Sequence, residues 1–236
     1  MKKFSSFLAL MLALALVTAG AIAEAPTINI AVLKGPTGMG AAPLMDKNEK
    51  HESQNAYSFE IAGAPDVLTA KLINGELDMA ALPTNTIALL AAKTGGKVKS
   101  LAINTLGVPY ILENGETVNS PADLAGKTIV SAGQGSTAEA VARHLLGEYV
   151  TIDYVAEHAE AVAQAVAGKY DLVLLPEPFV TSLLAQDKGF RIAVNLTTEW
   201  EAATGAQLPM GGIAGRTAFA EQNPEAIATF LAEYAE

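Results

Sequence analysis

The sequence predicts an α/β protein of two similar lobes, each built on a parallel-rich sheet covered by helices. Short apolar runs rich in β-forming residues alternate with helix-compatible segments along the chain, as parallel sheets require. The motif G-x-x-D-x-x-x-L-P begins at Gly75 and again, 93 residues later, at Gly168. The chain of 236 residues is also long enough for two lobes of about 100 residues each.

The first half of the chain contains four predicted strands. They lie at 28–35, 58–63, 77–83 and 98–106. After the first strand, turn formers from Pro36 onward lead into helix-compatible residues. Two further helices are predicted at 64–75 and 84–96, and both end at glycine, a residue that commonly terminates helices. Thr84 and Asn85 begin the second of these helices, where either side chain caps the helix or donates to a ligand.

The second half repeats this order of elements. Strands are predicted at 127–133, 150–155, 170–176 and 190–196. The helices between them are predicted at 135–147, 160–168 and 179–189. The first of these helices begins with Ser or Thr followed by Glu139, which is the pattern of a capping box. The two halves therefore contain the same series of strands and helices.

The repeated motif lies where a helix gives way to a strand. Its glycine ends the helix, the apolar run after its Asp is a buried strand, and Pro83 or Pro176 marks the end of that strand. In open parallel sheets, ligands bind beyond the carboxyl ends of the strands. Two lobes built alike would present these ends to each other, which predicts a ligand cleft between the two prolines. The alternative is a helix-to-strand turn that recurs without any ligand.

The N-terminus has the pattern of a secretory signal peptide. Lys2 and Lys3 precede an apolar run at Phe7–Val17, and small residues follow up to Ala23. That run is too short to span a membrane, so residues 1–23 are predicted to be removed on export. The sequence contains no Cys that could carry a lipid or form a disulfide. The protein is therefore expected in the periplasm or at the extracellular cell surface.

Charge and hydropathy exclude two further classes. The formal net charge is −10 at pH 7 and the sequence has no cluster of basic residues, so the chain is not expected to bind nucleic acid. Beyond the signal peptide, no segment approaches the roughly 20 consecutive apolar residues of a transmembrane helix. The mature protein is therefore not expected to span a membrane.

Five stretches carry a resemblance to a known family. They are KGPTGMG after the first strand, GELDMAALPTN, SAGQGST, DLVLLPEP and, near the end, GGIAGRTAFAEQNPEAIATFLAEY. In this order they resemble the solute-binding proteins of ABC importers. The branch that they resemble handles nitrate, sulfonates, taurine and pyrimidine or vitamin precursors, including thiamine precursors.

The resemblance implies a type II periplasmic-binding-protein-like fold, in which two crossover strands join the lobes and a cleft closes on ligand like a hinged clamp. Lobe 1 would then be 24–106 together with 211–236, and lobe 2 would be 107–210. The crossovers are expected at 101–110 and 210–219. Members of the family usually continue for several more helices, so lobe 1 is expected to be incomplete at its C-terminal end, or the sequence to be a fragment.

Four loops are expected to meet at the cleft. In the first, after the first strand, glycines either let backbone N–H groups approach a ligand at a helix start or form a flexible turn. The second loop follows Pro83, the third opens the helix at 135–147, and the fourth contains Glu177. The Glu177 carboxylate either binds a cationic group of the ligand or is solvated. The predicted ligand contacts are Gly35, Thr37, Gly38, Met39, Thr84, Asn85, Ser131, Gln134, Gly135, Ser136, Thr137 and Glu177, with Gly107 from the first crossover.

The charges in these loops bear on the ligand. The three arginines, Arg143, Arg191 and Arg216, lie outside the loops, so the sequence shows no bidentate clamp for an anion. An anion would have to be held by helix N-termini alone. A neutral or nitrogen-bearing heterocycle is favoured, with an aromatic ring that either stacks on it or belongs to the core. The aromatic candidates are Tyr57, Tyr110, Phe179 and Trp200.

Patterns of catalytic residues are not seen in the sequence. It has no Cys nucleophile and no G-x-S-x-G elbow, and its histidines, His51, His144 and His158, have no metal-ligand spacing. Solvated or helix-surface roles are expected for the histidines. We therefore expect no catalytic residue, no metal and no cofactor.

The predicted function is a monomeric, non-catalytic receptor that captures a small organic solute for an ABC permease and ATPase. The solute would be a heterocyclic vitamin or pyrimidine precursor, or a sulfonate-like compound. One alternative is an enzyme on the same scaffold, because some menaquinone-pathway enzymes resemble these binding proteins. The other is a sensory solute-binding domain.

Overall fold

The computed structural model describes residues 26–63 and 65–236. The predicted signal peptide at 1–23 lies outside the described residues. The strands are β1 (Ile28–Leu33), β2 (Tyr57–Ala62), β3 (Met79–Pro83), β4 (Val98–Leu106), β5 (Pro109–Asn114), β6 (Thr128–Ala132), β7 (Thr151–Val155), β8 (Leu172–Pro176), β9 (Phe190–Asn195) and β10 (Pro209–Arg216).

The helices alternate with these strands for most of the chain. They are α1 (Pro36–Met39), α2 (Ala42–Glu49), α3 (Pro65–Asn74), α4 (Thr84–Lys93), α5 (Thr137–Leu146), α6 (His158–Val166), α7 (Phe179–Leu184), α8 (Leu196–Thr204), α9 (Thr217–Gln222) and α10 (Pro224–Tyr234). Short 3₁₀ turns occur at Pro121–Leu124 and Gly147–Tyr149. Within the described residues, no helix has both the length and the apolar character needed to cross a membrane.

The strands form two five-stranded sheets with the same internal order. The first is β2-β1-β3-β10-β4, and with α1–α4, α9 and α10 it forms lobe 1. The second is β7-β6-β8-β5-β9, and with α5–α8 it forms lobe 2. In both sheets the first three strands are parallel and the fourth is antiparallel to its two neighbours. The predicted two-lobed α/β fold is therefore confirmed.

The antiparallel fourth strand of each sheet is the one that arrives from the other lobe. After β4 the chain crosses through Gly107 and Val108 into β5, and after α8 it returns through residues 205–208 into β10. The two crossings lie side by side, since Gly107 N donates to Leu208 O at 2.9 Å. The crossover predicted at 101–110 is thus divided between the lobes, because most of its residues pair within a sheet and only two residues cross.

Helices cover both faces of each sheet and bury four apolar clusters. In lobe 1, α2, α9 and α10 pack on one face, where Phe230 is fully buried, and α3 and α4 pack on the other. In lobe 2, α5 and α8 cover one face, and α6 and α7 cover the other. The central strands are apolar at nearly every position because neither face meets water.

The predicted elements of both halves are present, with ends that shift by a few residues. Ser136 caps α5 as predicted, since its Oγ accepts from Glu139 N at 3.3 Å. Helix α8 was not predicted, although Asn195 caps it by accepting from Thr197 N at 3.0 Å. The residue that precedes α4 is Pro83, and no side chain caps that helix.

The repeated motif occupies equivalent places in the two lobes but differs in the environment of its Asp. Gly75 and Gly168 both have positive φ, 82° and 74°, where a side chain would be strained. Asp78, directly before β3, is buried. Asp171, at the same motif position in lobe 2, is exposed. The motif therefore fixes the same turn twice, while only one copy buries its carboxylate.

Candidate functional site

A cavity of about 150 Å³, here called the inner cavity, lies between the two lobes. Its wall residues are 33–37, Pro83 and Thr105 from lobe 1, 136–138, His158, Pro176 and Phe179 from lobe 2, and Val108 and Met210 beside the crossings. Pro83 ends β3 and Pro176 ends β8. The strand ends of the two motif copies therefore face one shared cleft.

A second cavity of about 330 Å³, the outer cavity, adjoins the first. The two share Lys34, Gly35, His158 and Phe179 as wall residues. Glu157 lines the outer cavity as well, so its charge opposes that of the lysine across the same space. The outer cavity therefore carries one formal positive and one formal negative charge.

Hydrogen bonds of Asn85, at the start of α4, join the lobes across the cleft. Its Nδ2 donates to Gly135 O at 2.7 Å, and its Oδ1 accepts from Thr137 Oγ1 at 2.9 Å. We call these two contacts the interlobe latch. Beside it, Thr84 Oγ1 donates to Pro209 O at 2.7 Å. A helix cap or a ligand contact was predicted for Thr84 and Asn85. Their side chains instead form hydrogen bonds with residues outside their own helix.

The cleft brings together seven of the predicted ligand contacts. Gly35, Thr37, Ser136 and Thr137 line the inner cavity. Asn85 and Gly135 belong to the latch with Thr137, and Thr84 lies next to it. Contact of these residues with a ligand stays a prediction, but their meeting at one edge of both lobes is a feature of the fold.

The other predicted contacts lie away from the cavity walls and have internal roles or are exposed. A Cβ on Gly38 would lie 1.9 Å from Leu33 O, so this glycine permits close backbone packing. Ser131 is buried and its Oγ donates to Leu174 O at 3.1 Å. The remaining residues are Gly107 in the first crossing, Glu177, which accepts from Thr181 N, and the exposed Met39 and Gln134.

His158 corrects the sequence prediction, because it is a wall of both cavities and not a solvated surface residue. Its ring lies 5.0 Å from that of Phe179, with 39° between the planes. Its Nδ1 is buried and has no hydrogen-bond partner among the described residues. Burial lowers the pKa of His158, so the imidazole is neutral at pH 7. The sequence signal that could have indicated this role is the position of His158 at the start of a helix, just after the end of a predicted strand.

The lowered pKa of His158 predicts an acid-dependent loss of stability. The pKa in the unfolded chain is about 6.5. As the pH falls below that value the unfolded state takes up the proton first, so stability that is complete above about pH 6.5 is progressively lost below it. We expect the free energy of unfolding, measured with urea, to fall more between about pH 7.5 and about pH 5.5 for the wild type than for His158→Phe. Equal losses in the two proteins would contradict this.

The chemistry of the cleft suits binding by hydrogen bonds and ring contacts. Within residues 26–63 and 65–236 there is no group of three or more His, Asp or Glu side chains that could hold a metal ion. The inner cavity offers Thr and Ser hydroxyls, the ammonium group of Lys34, a neutral imidazole and a phenyl ring. Such a set holds a small, partly apolar molecule by a few directed polar groups.

Several solved structures share this fold. The aliphatic sulphonate binding protein SsuA from Escherichia coli has a TM-score of 0.70 at 20% identity, over 89% of this chain and 72% of that chain. A zinc-bound ligand-binding component of an ABC-type import system from Staphylococcus aureus has a TM-score of 0.64 at 17% identity, over 88% and 72%. The VFT2 domain of BvgS from Bordetella pertussis has a TM-score of 0.62 at 16% identity, over 91% of this chain and 89% of that chain.

These structures confirm, at the level of the fold, the predicted resemblance to solute-binding proteins of ABC importers. No curated protein matches the chain in sequence. A family model described as menaquinone biosynthesis matches residues 40–235. This span includes the interlobe latch, His158 and every strand of the two sheets except β1. Because that match covers most of the chain, the protein belongs to the menaquinone biosynthesis family.

Proposed function

We propose that this protein is an extracytoplasmic solute-binding receptor of an ABC importer. It acts after export, as a monomer, and delivers a small organic solute from the interlobe cleft to a permease and ATPase. The solute is a heterocyclic vitamin or pyrimidine precursor, or a sulfonate-like compound. The sulphonate binding protein and the ABC-type ligand-binding component that share the fold support this proposal.

The observation that carries the proposal is a cavity walled by both lobes at the ends of their parallel strands. A solute in it would touch Thr37 of lobe 1 and Thr137 of lobe 2 at once. Binding then stabilises the closed arrangement over an open one, because only the closed arrangement makes both sets of contacts. The latch contributes to the same equilibrium, since its hydrogen bonds also exist only when the lobes meet.

Removing the latch should weaken solute binding. A hydrogen bond contributes about 1 kcal/mol, which is a factor of about five, so Thr137→Val, which loses one latch bond, should weaken binding about fivefold, and Asn85→Ala, which loses both, up to about thirtyfold. A panel of nitrogen heterocycles and sulfonates, screened by thermal shift, supplies the binder, and calorimetry measures its affinity for each variant.

The matched control is Lys93→Gln, because Lys93 is exposed and lies at the other end of α4. It should leave the affinity unchanged. Thr137→Val is preferred to Ser136→Ala, because loss of the cap by Ser136 would also destabilise α5 by about 1 kcal/mol. Unchanged affinity in both latch variants would show that the solute does not bind in this cleft.

The family match favours a second candidate, an enzyme of menaquinone biosynthesis on the same scaffold. The neutral imidazole of His158 is one group in the cleft that could accept a proton. The receptor is preferred because no acid or base among the described residues is hydrogen-bonded to that imidazole to orient it. Mass spectrometry of the bound solute after long incubation separates the two functions. Recovery of the intact solute supports the receptor, whereas conversion that disappears in His158→Phe supports the enzyme.

A further inference from the structure

The interlobe latch takes one of its two groups in lobe 2 from an exposed loop. This loop, residues 133–135, joins β6 to the cap residue of α5 and is here called the latch loop. Gly133 and Gly135 both have a φ of 77°, and a Cβ on Gly135 would have nothing within 4 Å. Since packing does not hold such a loop, hydrogen bonds have to fix the position of the Gly135 carbonyl.

The carboxylate of Glu139 holds the latch loop. Its Oε2 accepts from Gly135 N at 2.5 Å, and its Oε1 accepts from the hydroxyl of Tyr154 on β7. Arg143 Nε lies 3.8 Å from the same Oε1. Burial and the hydrogen bond to Glu139 raise the pKa of Tyr154, so the phenol keeps the proton that it donates. One carboxylate therefore ties the loop to the edge strand of the sheet in lobe 2.

This arrangement departs from an ordinary capping box. In that motif the side chain of the third helical residue accepts from the backbone N–H of the cap residue. Here the N–H of the cap residue, Ser136, donates to Gly133 O at 2.9 Å, and the Glu139 side chain reaches one residue further back to Gly135. The charged acceptor at this helix start thus binds the residue whose carbonyl forms the latch.

A continuous line of hydrogen bonds therefore crosses the cleft. It begins with Asn85 Nδ2 of lobe 1, which donates to Gly135 O at 2.7 Å. From the N–H of Gly135 it continues to Glu139 and Tyr154. The other latch bond, from Thr137 Oγ1 to Asn85 Oδ1, lies outside this line because Thr137 belongs to α5 itself. The two latch bonds can therefore be separated by substitution.

We propose that Glu139 is a positioning residue for closure of the cleft, although it lines neither cavity. Its carboxylate keeps Gly135 O within reach of Asn85 and so favours the closed arrangement of the lobes. This inference rests on the proposed receptor function and identifies a residue that regulates the cleft from outside the solute site. Loss of the carboxylate removes the Gly135 bond of the latch and leaves the Thr137 bond in place.

Interlobe distances measured by pulsed EPR on the full mature chain test the inference without any solute. The sequence contains no Cys, so Ala70→Cys and Ala163→Cys, at exposed and equivalent positions of α3 and α6, place one spin label on each lobe. Glu139→Ala should lower the ratio of closed to open molecules about fivefold, the effect of one hydrogen bond. Glu139→Gln, which keeps an oxygen for Gly135 N but loses the charge, should lower it less.

A double-mutant cycle separates the positioning of the latch from a general loss of stability. In an Asn85→Ala background, Glu139→Ala should change the distances no further, because the bond that it positions is already lost. In a Thr137→Val background it should keep its full effect, since the bond between Asn85 and Gly135 is still present there.

Glu160→Ala is the matched control at the start of α6. Glu160 accepts from the N–H of Ala156 at 3.1 Å, in the same relation along the chain as Glu139 to Gly135. Within 26–63 and 65–236, neither Glu160 nor Ala156 forms a hydrogen bond with lobe 1. This variant loses a similar contact at a helix start, so it should leave the distances as they are in the wild type.

The inference is overturned if Glu139→Ala has the distances of the wild type, if Glu160→Ala shifts them equally, or if Glu139→Ala keeps its full effect in the Asn85→Ala background. Calorimetry with ethanesulfonate and thymine tests the receptor function separately. A probe that binds should bind Glu139→Ala about fivefold more weakly, and an unchanged affinity would also overturn the inference. If neither probe binds while the distances shift as expected, the proposed solute classes fail and the role of Glu139 stands.

Discussion

Asp78→Ala should lower the free energy of unfolding by about 3 kcal/mol, whereas Asp171→Ala should change it by less than about 0.5 kcal/mol. The two residues occupy the same position of the repeated motif. Only Asp78 is buried, and it accepts from Asn29 N at 2.9 Å and from Asn29 Nδ2 at 3.1 Å. It also forms an ion pair with Arg216.

Removal of the Asp78 carboxylate leaves the Asn29 N–H without its partner and Arg216 without its counter-ion. Breaking a buried ion pair from one side costs about 3–5 kcal/mol. The arginine side chain is 29% exposed, so water compensates part of its loss and the lower end of that range is expected. The three groups also connect β1, β3 and β10 near the ends of these central strands, so the loss affects the packing of lobe 1 as a whole.

Asp171→Ala is the matched control because its backbone has the same place in the turn. Its carboxylate is exposed and forms no hydrogen bond or ion pair within 26–63 and 65–236. Urea unfolding of the wild type and both variants, with midpoints and slopes compared, measures the difference. Equal destabilisation by the two variants would mean that the motif Asp acts through the turn and not through the buried pair.

Gly38→Ala should destabilise the protein by about 1–3 kcal/mol. A Cβ at this position would lie 1.9 Å from Leu33 O and 3.0 Å from Leu33 C, and these are backbone atoms that cannot rotate away. Helix α1 would have to move off the end of β1. Since Pro36 and Thr37 of α1 line the inner cavity, the same movement should weaken solute binding.

Gly63→Ala serves as the control for that substitution. Within the described residues a Cβ on Gly63 has nothing within 4 Å, and its φ is not positive. Its unfolding free energy should stay within about 0.5 kcal/mol of the wild type. If Gly38→Ala were as stable as Gly63→Ala, the close approach of α1 to β1 would not exist in solution.

The course of the chain in each lobe follows from local patterns, and these could be predicted. A buried parallel strand needs a short run of apolar residues, and a helix end is marked by a glycine such as Gly75 or Gly168. Both kinds of pattern depend on neighbours within about ten residues. For the same reason the cap of α5 by Ser136 could be predicted, since its partner is only three residues away.

The candidate site was predictable as a place but not as a set of contacts. Strand ends such as Pro83 and Pro176 indicate where a ligand binds, because parallel strands present their carboxyl ends to one edge. Which side chains meet there depends on how two lobes dock. Asn85 reaches Thr137 across 52 residues of sequence, and no local pattern distinguishes that bond from a helix cap.

By itself, the sequence determined the alternation of strands and helices, the doubled lobe and the edge at which a ligand would bind, because each depends on short-range periodicity. Only the tertiary structure decided that β5 and β10 enter the opposite sheets as antiparallel strands. It also decided that Asp78 is buried while Asp171 is exposed, and that His158 lines the cleft while its Nδ1 is buried without a hydrogen-bond partner among the described residues. The physical reason is that burial and pairing of these groups arise from residues far apart in the chain, whose approach the packing of the two sheets sets.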